Sequence, residues 1–364
     1  MTGSSNFGAP PSAKAHLAAI LEPDLAELTS FVAIQSGKER AAVESHLRWF
    51  LLENPARDPE APLGHGLRTS GGELVGCILC VPQNFRFQEQ VFVLMGSSCF
   101  YVDERFRGSG GLIFLKYSEL GRKWALFGNS ANAESARLWK ARGGIPIPHS
   151  DHELFGVAHW AIVIEEMLFR QTRQHGLSRL AGKSMSKLAG LITRLENTCD
   201  GSEKLSLLTS AEDVVALPIH QSAAELTAAR DLPYIRWRYF YGRDATGAVF
   251  AFRSKKMDSD VLVTVNQRLR GYRKQIKTLN LLDIYPAVKP EICASIVGAL
   301  LDRYRTTIDA VVLRGQDSER QQLFQRLGFR RRQFDAPTGW LLDRFGHLPT
   351  RNWYFVPGDG DALI

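Results

Sequence analysis

The sequence predicts an α/β protein in which one mixed-sheet unit occurs twice. Apolar residues make up 45% of the 364 residues and charged residues 23%, proportions that are typical of a globular protein. Strand-like and helix-like segments alternate between residues 66 and 144, and a similar order of elements returns after Pro233. The chain is also long enough for two domains, each with a hydrophobic core of its own.

The same alternation divides the chain into four segments. We expect a flexible tail at residues 1–29, because Gly, Ser and Pro are frequent near the start. A first unit is expected at residues 30–150, beginning with a strand at 31–34. Residues 151–230 are predicted to form a mainly helical linker, and residues 231–364 a second unit.

The composition also bears on location and on metal or redox chemistry. The apolar stretch 154–164 is far shorter than the roughly 20 residues that a membrane span needs. The first twelve residues have neither the charged start nor the apolar run of a secretory signal. Cys77 and Cys80 are expected on opposite faces of one strand, which is unsuitable for a zinc or redox pair. We therefore expect a cytoplasmic protein with no transmembrane segment and no metal.

A glycine-rich segment after an apolar strand is the most informative part of the chain. The strand is predicted at residues 91–102, and a helix is predicted to begin at Leu112. Free amides and the dipole at a helix N-terminus attract phosphate, and glycine lets a phosphate approach the backbone closely. The segment therefore predicts a phosphate site, with these candidate residues: Arg105, Arg107, Gly108, Ser109, Gly110 and Gly111.

A second motif follows at residues 132–144, where a helix led by Asn132 ends at Gly143 and Gly144. Together the two motifs resemble the signatures of the GCN5-related N-acetyltransferases (GNAT), well over residues 30–150 and weakly over 233–335. The resemblance implies two GNAT-like domains and acetyl-CoA, or another acyl-CoA, as co-substrate. It further implies that the acyl group passes directly to an amine of a sugar or other small polar or anionic acceptor. The resemblance also implies that the pantetheine arm of the cofactor bonds the backbone of three residues: Phe100, Tyr101 and Val102. It adds Asn132 to the cofactor-binding candidates.

Several features depart from the family pattern. The family loop, Arg/Gln-x-x-Gly-x-Gly/Ala, fits fully if it starts at Arg105 and only in part if it starts at Arg107. Both registers remain open. Trp139 stands where many members have a tyrosine that protonates the leaving thiolate. The strand at 91–102 contains no carboxylate to act as general base, so the catalytic candidates are Ser97 and Ser98, which would position a water that relays the proton.

The second unit is expected to lack the phosphate loop. Pro290 removes a backbone donor, and Glu291 puts a negative charge where a diphosphate would lie. Residues 231–364 carry 22 Lys and Arg against 14 Asp and Glu, a net charge of +8 that favours an anionic partner. The basic run at 330–332 is either a contact for that partner or an exposed strand.

Two alternative functions stay open. The repeat and the basic second unit would also suit a Fem-like transferase that takes its acyl group from charged tRNA. The glycine segment argues against it, since such an enzyme needs no diphosphate site, and nucleic acid is therefore not the expected partner. The other alternative is a GNAT-like scaffold without catalytic activity, suggested by Trp139 and by the missing general base.

Overall fold

The computed structural model contains two mixed β-sheets with helices packed against them. It describes residues 15–88, 90–173, 204–215, 226–241, 247–255, 259–315 and 317–349, together with residues 178, 179, 182, 257 and 353. Much of the predicted linker after residue 173 lies outside the described residues.

The first sheet is built mainly from the first 150 residues. Its strands are β1 (Ala15–Ile20), β2 (Gly64–Thr69), β3 (Leu74–Phe87), β4 (Gln90–Val102), β5 (Ala125–Gly128), β6 (Ile145–Pro146), β9 (Thr227–Ala228) and β15 (Trp340–Leu342). They follow the order β1-β2-β3-β4-β5-β15-β6, and β9 pairs with β3. The helices of this half are α1 (Leu25–Ser36), α2 (Arg40–Leu47), α3 (Gly110–Glu119) and α4 (Ala133–Ala141).

The second sheet has the order β14-β7-β13-β12-β11-β10-β8. Its strands are β7 (His152–Val157), β8 (Lys204–Leu208), β10 (Gly247–Arg253), β11 (Val261–Arg270), β12 (Ile276–Tyr285), β13 (Ala310–Arg314) and β14 (Arg330–Gln333). The helices of this half are α5 (Trp160–Thr172) and the segments Ala211–Val215, Leu232–Ile235, Pro290–Tyr304 and Ser318–Arg326. The predicted helix–strand–helix order between Pro290 and Arg326 is confirmed.

The two sheets share one topology, and each takes a strand from the other half of the chain. The order β1-β2-β3-β4-β5-β15-β6 corresponds strand by strand to β8-β10-β11-β12-β13-β7-β14. Each sheet has one parallel pair at the equivalent place, β4 with β5 and β12 with β13. Strand β15 lies antiparallel between β5 and β6, and β7 lies antiparallel between β13 and β14. Neither half of the chain therefore completes its own sheet.

The expectation of a flexible tail at residues 1–29 is wrong for residues 15–29. Residues 15–20 pair with β2, and α1 already begins at Leu25. The predicted strand at 31–34 is also wrong, because these residues lie inside α1. The physical reason is the apolar spacing, since a helix of period 3.6 brings four buried side chains to one face. They are Leu25, Leu28, Phe31 and Val32.

The expectation of a mainly helical segment at residues 151–230 is wrong in part. Helix α5 is present, but β7 and β8 from the same segment are strands of the second sheet. Strand β7 is almost fully buried because strands lie on both of its sides. A buried strand of six residues lacks the clear alternation by which sequence patterns reveal strands.

One apolar core joins the two halves of the molecule. It contains Phe50 and Phe127 from the first half together with Tyr285 of β12 and Leu341 of β15. Two indoles add a reciprocal link across the halves. The Trp49 Nε1 donates to the carbonyl of residue 237 at 2.6 Å, and the Trp237 Nε1 donates to the carbonyl of residue 49 at 2.8 Å. The exchange and the common core predict that both halves unfold together.

Leu341→Ala should lower the free energy of unfolding by roughly 2–5 kcal/mol, because it leaves a cavity in a fully packed core. Leu341 is 1% exposed and lies on the exchanged strand β15. Urea denaturation followed by circular dichroism and by tryptophan fluorescence should show one transition that shifts as a whole. The control is Phe345→Ala, at an exposed position nearby, which should change stability by about 0.5 kcal/mol or less. Two separate transitions, only one of them shifted, would contradict the common core.

Candidate functional site

A cleft of about 1410 Å³ lies between the two sheets. One wall comes from β4 and the N-terminal parts of α3 and α4, and the other comes from β11, β12 and β13. Pockets for a single small ligand usually measure roughly 300–1,000 Å³. The cleft therefore has room for two small ligands side by side.

The cleft opens where β4 and β5 separate. These strands pair only where residues 94–96 meet residues 125–127. Strand β4 then continues to Val102, whereas β5 ends at Gly128. A bulge in β4 adds to the separation, and Cys99 within it has a left-handed backbone with φ 47°. The backbone of β4 beyond Gly96 therefore runs along the cleft without β5 beside it.

The two predicted catalytic serines both line the cleft at this separation. Ser98 is buried, and its hydroxyl lies 3.7 Å from the Cys99 Sγ. Ser97 hydrogen-bonds the hydroxyl of Tyr117, which donates to the carbonyl of Met95 at 2.7 Å. Burial raises the pKa of Tyr117 well above its usual range, so this phenol stays protonated.

The glycine-rich segment is more regular than its composition suggests. It forms a 3₁₀ helix over Glu104–Ser109 that continues into α3. Within it the Phe106 amide donates to the carbonyl of Asp103, and the Gly110 amide donates to the carbonyl of Arg107. A Cβ atom built on Gly108 would meet nothing within 4 Å. The segment therefore leaves open space beside its backbone, although some of its amides are already bonded.

Ten of the twelve predicted site residues line the cleft: Ser97, Ser98, Phe100, Tyr101, Val102, Arg107, Gly108, Gly110, Gly111 and Asn132. Asn132 also caps α4, where its side-chain oxygen accepts the Ser135 amide at 2.9 Å.

The other two predicted residues, Arg105 and Ser109, do not line the cleft. The Arg105 guanidinium binds both carboxylate oxygens of Asp103 at 3.0 Å. The hydrogen bonds from Arg105 lower the pKa of Asp103. Arg105 is therefore held by its neighbour in the chain, and Arg107 is the arginine of this segment that faces the cleft.

Trp139 forms part of the floor of the cleft. Its indole is 2% exposed and packs against the ring of Phe114 at 5.2 Å between centroids. Gly128 makes room for the indole, because a Cβ atom there would come within 3.0 Å of it, and a Cβ atom on Gly144 would lie 2.9 Å from the Trp139 carbonyl oxygen. The residue that replaces the family tyrosine thus has a packing role here.

The opposite wall contains functional candidates that sequence reasoning missed. Arg268 and Arg270 of β11, Asn280 of β12 and Arg314 of β13 all line the cleft. Polar residues at alternate positions, Asn266, Arg268 and Arg270, are the signal that could have revealed this face.

A second cavity of about 730 Å³ adjoins the cleft and shares Cys99, Tyr101 and Arg268 with it. His46 of α2 lines this cavity, and its Nε2 is buried without a hydrogen bond to the described part of the chain. Burial, and then the charge of Arg238, lowers the pKa of His46 to about 4. The imidazole is therefore neutral near pH 7.

Within the described residues, no group of three or more histidine, cysteine or acidic side chains is placed to hold a metal ion. No helix in the same part of the chain has both the length and the hydropathy to cross a bilayer. Cys77 and Cys80 are both buried, and burial raises the pKa of each thiol above its usual range.

Comparisons with known proteins identify the fold. No protein-family model matches the chain, and no curated protein matches its sequence. A solved structure from Enterococcus faecalis, named a probable N-acyltransferase, aligns with a TM-score of 0.54 at 10% identity and covers 90% of this chain and 72% of that one. A GCN5-related N-acetyltransferase from Anabaena variabilis aligns with a TM-score of 0.53 at 11% identity, with the same coverage.

A third match is the N-myristoyltransferase of Saccharomyces cerevisiae, solved with bound myristoyl-CoA. It aligns with a TM-score of 0.55 at 11% identity and covers 93% of this chain and 81% of that one. At such low identity these likenesses concern the fold alone. The chain thus has the mixed α/β fold of GNAT-like acyltransferases, as the sequence motifs predicted.

Lowering the pH from about 6.5 to 4 should destabilise the protein through His46. Its folded pKa of about 4 lies below the usual 6.5, so the unfolded chain takes up the proton first. The contribution of His46 to the free energy of unfolding is complete above pH 6.5. As the pH falls to 4, on the order of 2–3 kcal/mol of it is lost. Urea denaturation at pH 7 and pH 4.5 should show a smaller loss in His46→Gln than in the wild type. His16→Gln, at an exposed position, is the control, and an unchanged loss in His46→Gln would contradict the burial effect.

Proposed function

We propose that this protein is an acyl-CoA-dependent N-acyltransferase. It transfers an acyl group, with acetyl as the first donor to test, directly to an amine of a sugar or other small polar acceptor. The observation that carries the proposal is the cleft at the separation of β4 and β5, with the glycine segment at one end. The fold of known acyl-CoA-dependent transferases supports it at the level of architecture.

The donor would lie along the first wall of the cleft. Its diphosphate would be held at the start of α3, near Arg107, Gly108 and Gly110, where the helix dipole favours an anion. The pantetheine arm would extend along β4, where residues 100–102 lie beyond the pairing with β5. In this arrangement the thioester would lie near Ser97 and Ser98.

Transfer requires a neutral amine and a stabilised oxyanion. A backbone N–H of β4 beyond the separation would donate to the oxyanion, an effect commonly worth about 3–4 kcal/mol. Ser97 and Ser98 would hold a water that takes the proton from the amine. Trp139 supplies no useful proton, so the leaving thiolate would receive its proton from water or from the acceptor.

The second sheet would shape the acceptor side. The helix after β12 begins with Pro290, and Glu291 lies in its first turn, so its N-terminus is poorly suited to a diphosphate. We therefore assign the donor to the first sheet and regard the second unit as a copy without a phosphate site. The domain boundaries 30–150 and 231–364 stay part of this proposal. Strands β1, β7, β8 and β9 lie outside both ranges, and β15 of the second range belongs to the first sheet.

Gly108→Glu should weaken binding of CoA by at least tenfold, because it adds an anion beside the proposed diphosphate position. The fold should survive, since a Cβ atom at Gly108 meets nothing within 4 Å. Isothermal titration of CoA and acetyl-CoA measures the effect. The matched control is Ser109→Glu, which adds the same charge one residue away from the cleft lining.

Two outcomes of that titration decide the assignment. Wild-type affinity for CoA in Gly108→Glu would remove the donor site from this segment. Intact CoA binding in the wild type, with no thiol release across a broad amine panel, would favour the scaffold without catalysis.

Ser97→Ala and Ser98→Ala should separate catalysis from binding. Loss of a proton relay typically lowers kcat by 10²- to 10⁴-fold, and the KM for acyl-CoA should stay within about threefold of the wild type. Thiol release against pH gives the measurement, with Ser118→Ala, buried outside the cleft, as the control. If both cleft variants retain wild-type kcat, the serines have no role in proton transfer.

A further inference from the structure

The wall formed by the second sheet carries a cluster of four charged side chains. Glu153 of β7 is completely buried, and Arg270, Arg314 and Arg332 all donate to its carboxylate. The nitrogen–oxygen distances lie between 2.9 and 3.1 Å. One carboxylate thus faces three guanidinium groups, and these four side chains carry a net positive charge.

The strand register explains why these residues meet. Glu153 lies directly opposite Arg314 of β13 and Arg332 of β14. Arg270 reaches the same carboxylate from the end of β11 and also donates to the Asn280 side-chain oxygen at 3.2 Å. The exchanged strand β7 therefore supplies the carboxylate that fixes the guanidinium groups before any ligand binds.

Two members of the cluster face the cleft. Arg270 and Arg314 line it, with side chains that are 25% and 35% exposed. Arg268 lines it as well, two residues before Arg270 and therefore on the same face of β11. The acidic residues that line the cleft, Glu134 and Asp335, lie outside the strands of this sheet. Partly desolvated guanidinium groups in fixed positions suit a carboxylate or a phosphate, which they can bind in bidentate fashion.

We propose that this wall binds an anionic group, a carboxylate or a phosphate, on the acceptor of the transfer reaction. The inference rests on the proposed acyl transfer and narrows the acceptor to an amine that carries such a group. The diphosphate of the donor has its own position at the glycine segment on the opposite wall. The two anions are then held on opposite sides of the cleft, and the amine lies between them near the thioester. Glu153 acts as a positioning residue for the arginines.

The first experiment measures anion binding without any substrate. Thermal unfolding is followed with increasing inorganic phosphate at constant ionic strength, so that general salt effects cancel. Phosphate should raise the Tm of the wild type. Arg314→Gln should need at least tenfold more phosphate for the same rise in Tm. The control is Arg330→Gln, which removes the same charge from an exposed position of β14 outside the cleft lining.

Arg314→Gln leaves Glu153 with two arginines, so its charge remains compensated. If that variant does not fold, Arg270→Gln replaces it, because Arg314 and Arg332 then remain as partners of the carboxylate. The wild-type titration needs no variant. Absence of phosphate binding by the wild type, or equal binding by Arg314→Gln and Arg330→Gln, overturns the proposal.

The second experiment measures turnover with amines that differ only in an anionic group. Suitable pairs are glucosamine 6-phosphate with glucosamine, and an amino acid with its amide. The KM of the anionic member should be at least tenfold lower in the wild type and in Arg330→Gln, and this difference should largely disappear in Arg314→Gln. Equal KM values within each wild-type pair, or an equal effect of Arg314→Gln on both members, would overturn the proposal.

Failure of this inference and failure of the proposed function give different results. If CoA does not bind the wild type at all, the proposed function is wrong, and the phosphate titration alone decides whether the wall binds anions. If CoA displaces phosphate and Arg314→Gln weakens CoA binding, the wall serves the donor, and the acceptor assignment is wrong. The expected result is that Arg314→Gln binds CoA as the wild type does.

Discussion

Strands β7 and β15 each complete the sheet of the other half of the chain, and the arrangement of the molecule follows from this exchange. A sheet that lacks an internal strand leaves a row of backbone donors and acceptors without partners, which is costly once they are buried. Each half can therefore bury its sheet only when the other half is folded beside it. The core that contains Phe127 and Leu341, and the paired indoles of Trp49 and Trp237, strengthen the same association.

The cleft is a consequence of this association. In each sheet a strand of the parallel pair carries residues that line the cleft: residues 97–102 of β4 on one wall, and residues 280–282 of β12 with Val312 and Arg314 of β13 on the other. The first wall combines bare strand backbone with a glycine segment at a helix start, whereas the second wall is rich in arginine. The two walls have different chemistry although their topology is the same. This difference favours a site that holds two unlike ligands.

Burial sets the electrostatics of the second wall and of the adjoining cavity. Desolvation raises the pKa of Glu153, but the three arginines outweigh this effect and the net shift is downward, so the carboxylate remains charged. In the described part of the chain, His46 has no carboxylate partner of this kind, and the charges that act on it are positive. Burial and the positive charge of Arg238 act in the same direction, and its imidazole remains neutral. Both groups are desolvated and both have positive neighbours, so the difference lies in their own ionised forms: an arginine stabilises a carboxylate and destabilises an imidazolium.

Local signals accounted for much of the first half of the fold. The run of glycines predicted the start of α3, and the Asn132 cap predicted α4, because capping and glycine preferences act within a few residues. The strand predicted at 31–34 failed because four residues are too few to distinguish a strand from a turn of helix.

The candidate site was likewise predicted only where its residues are close together in the sequence. Residues of β4 and α3 were predicted, while Arg270, Arg314 and Glu153 were missed, because only strand pairing brings residues so distant in sequence together.

The sequence by itself determined the α/β class, the glycine segment after β4 and the repeated order of elements, since each depends on neighbours along the chain. Only the tertiary structure decided which strand completes which sheet. It also decided that Arg105 is bound to Asp103 while Arg107 faces the cleft, and that three arginines gather around one buried carboxylate. These features depend on long-range pairing and on desolvation, and neither leaves a periodic pattern in the sequence.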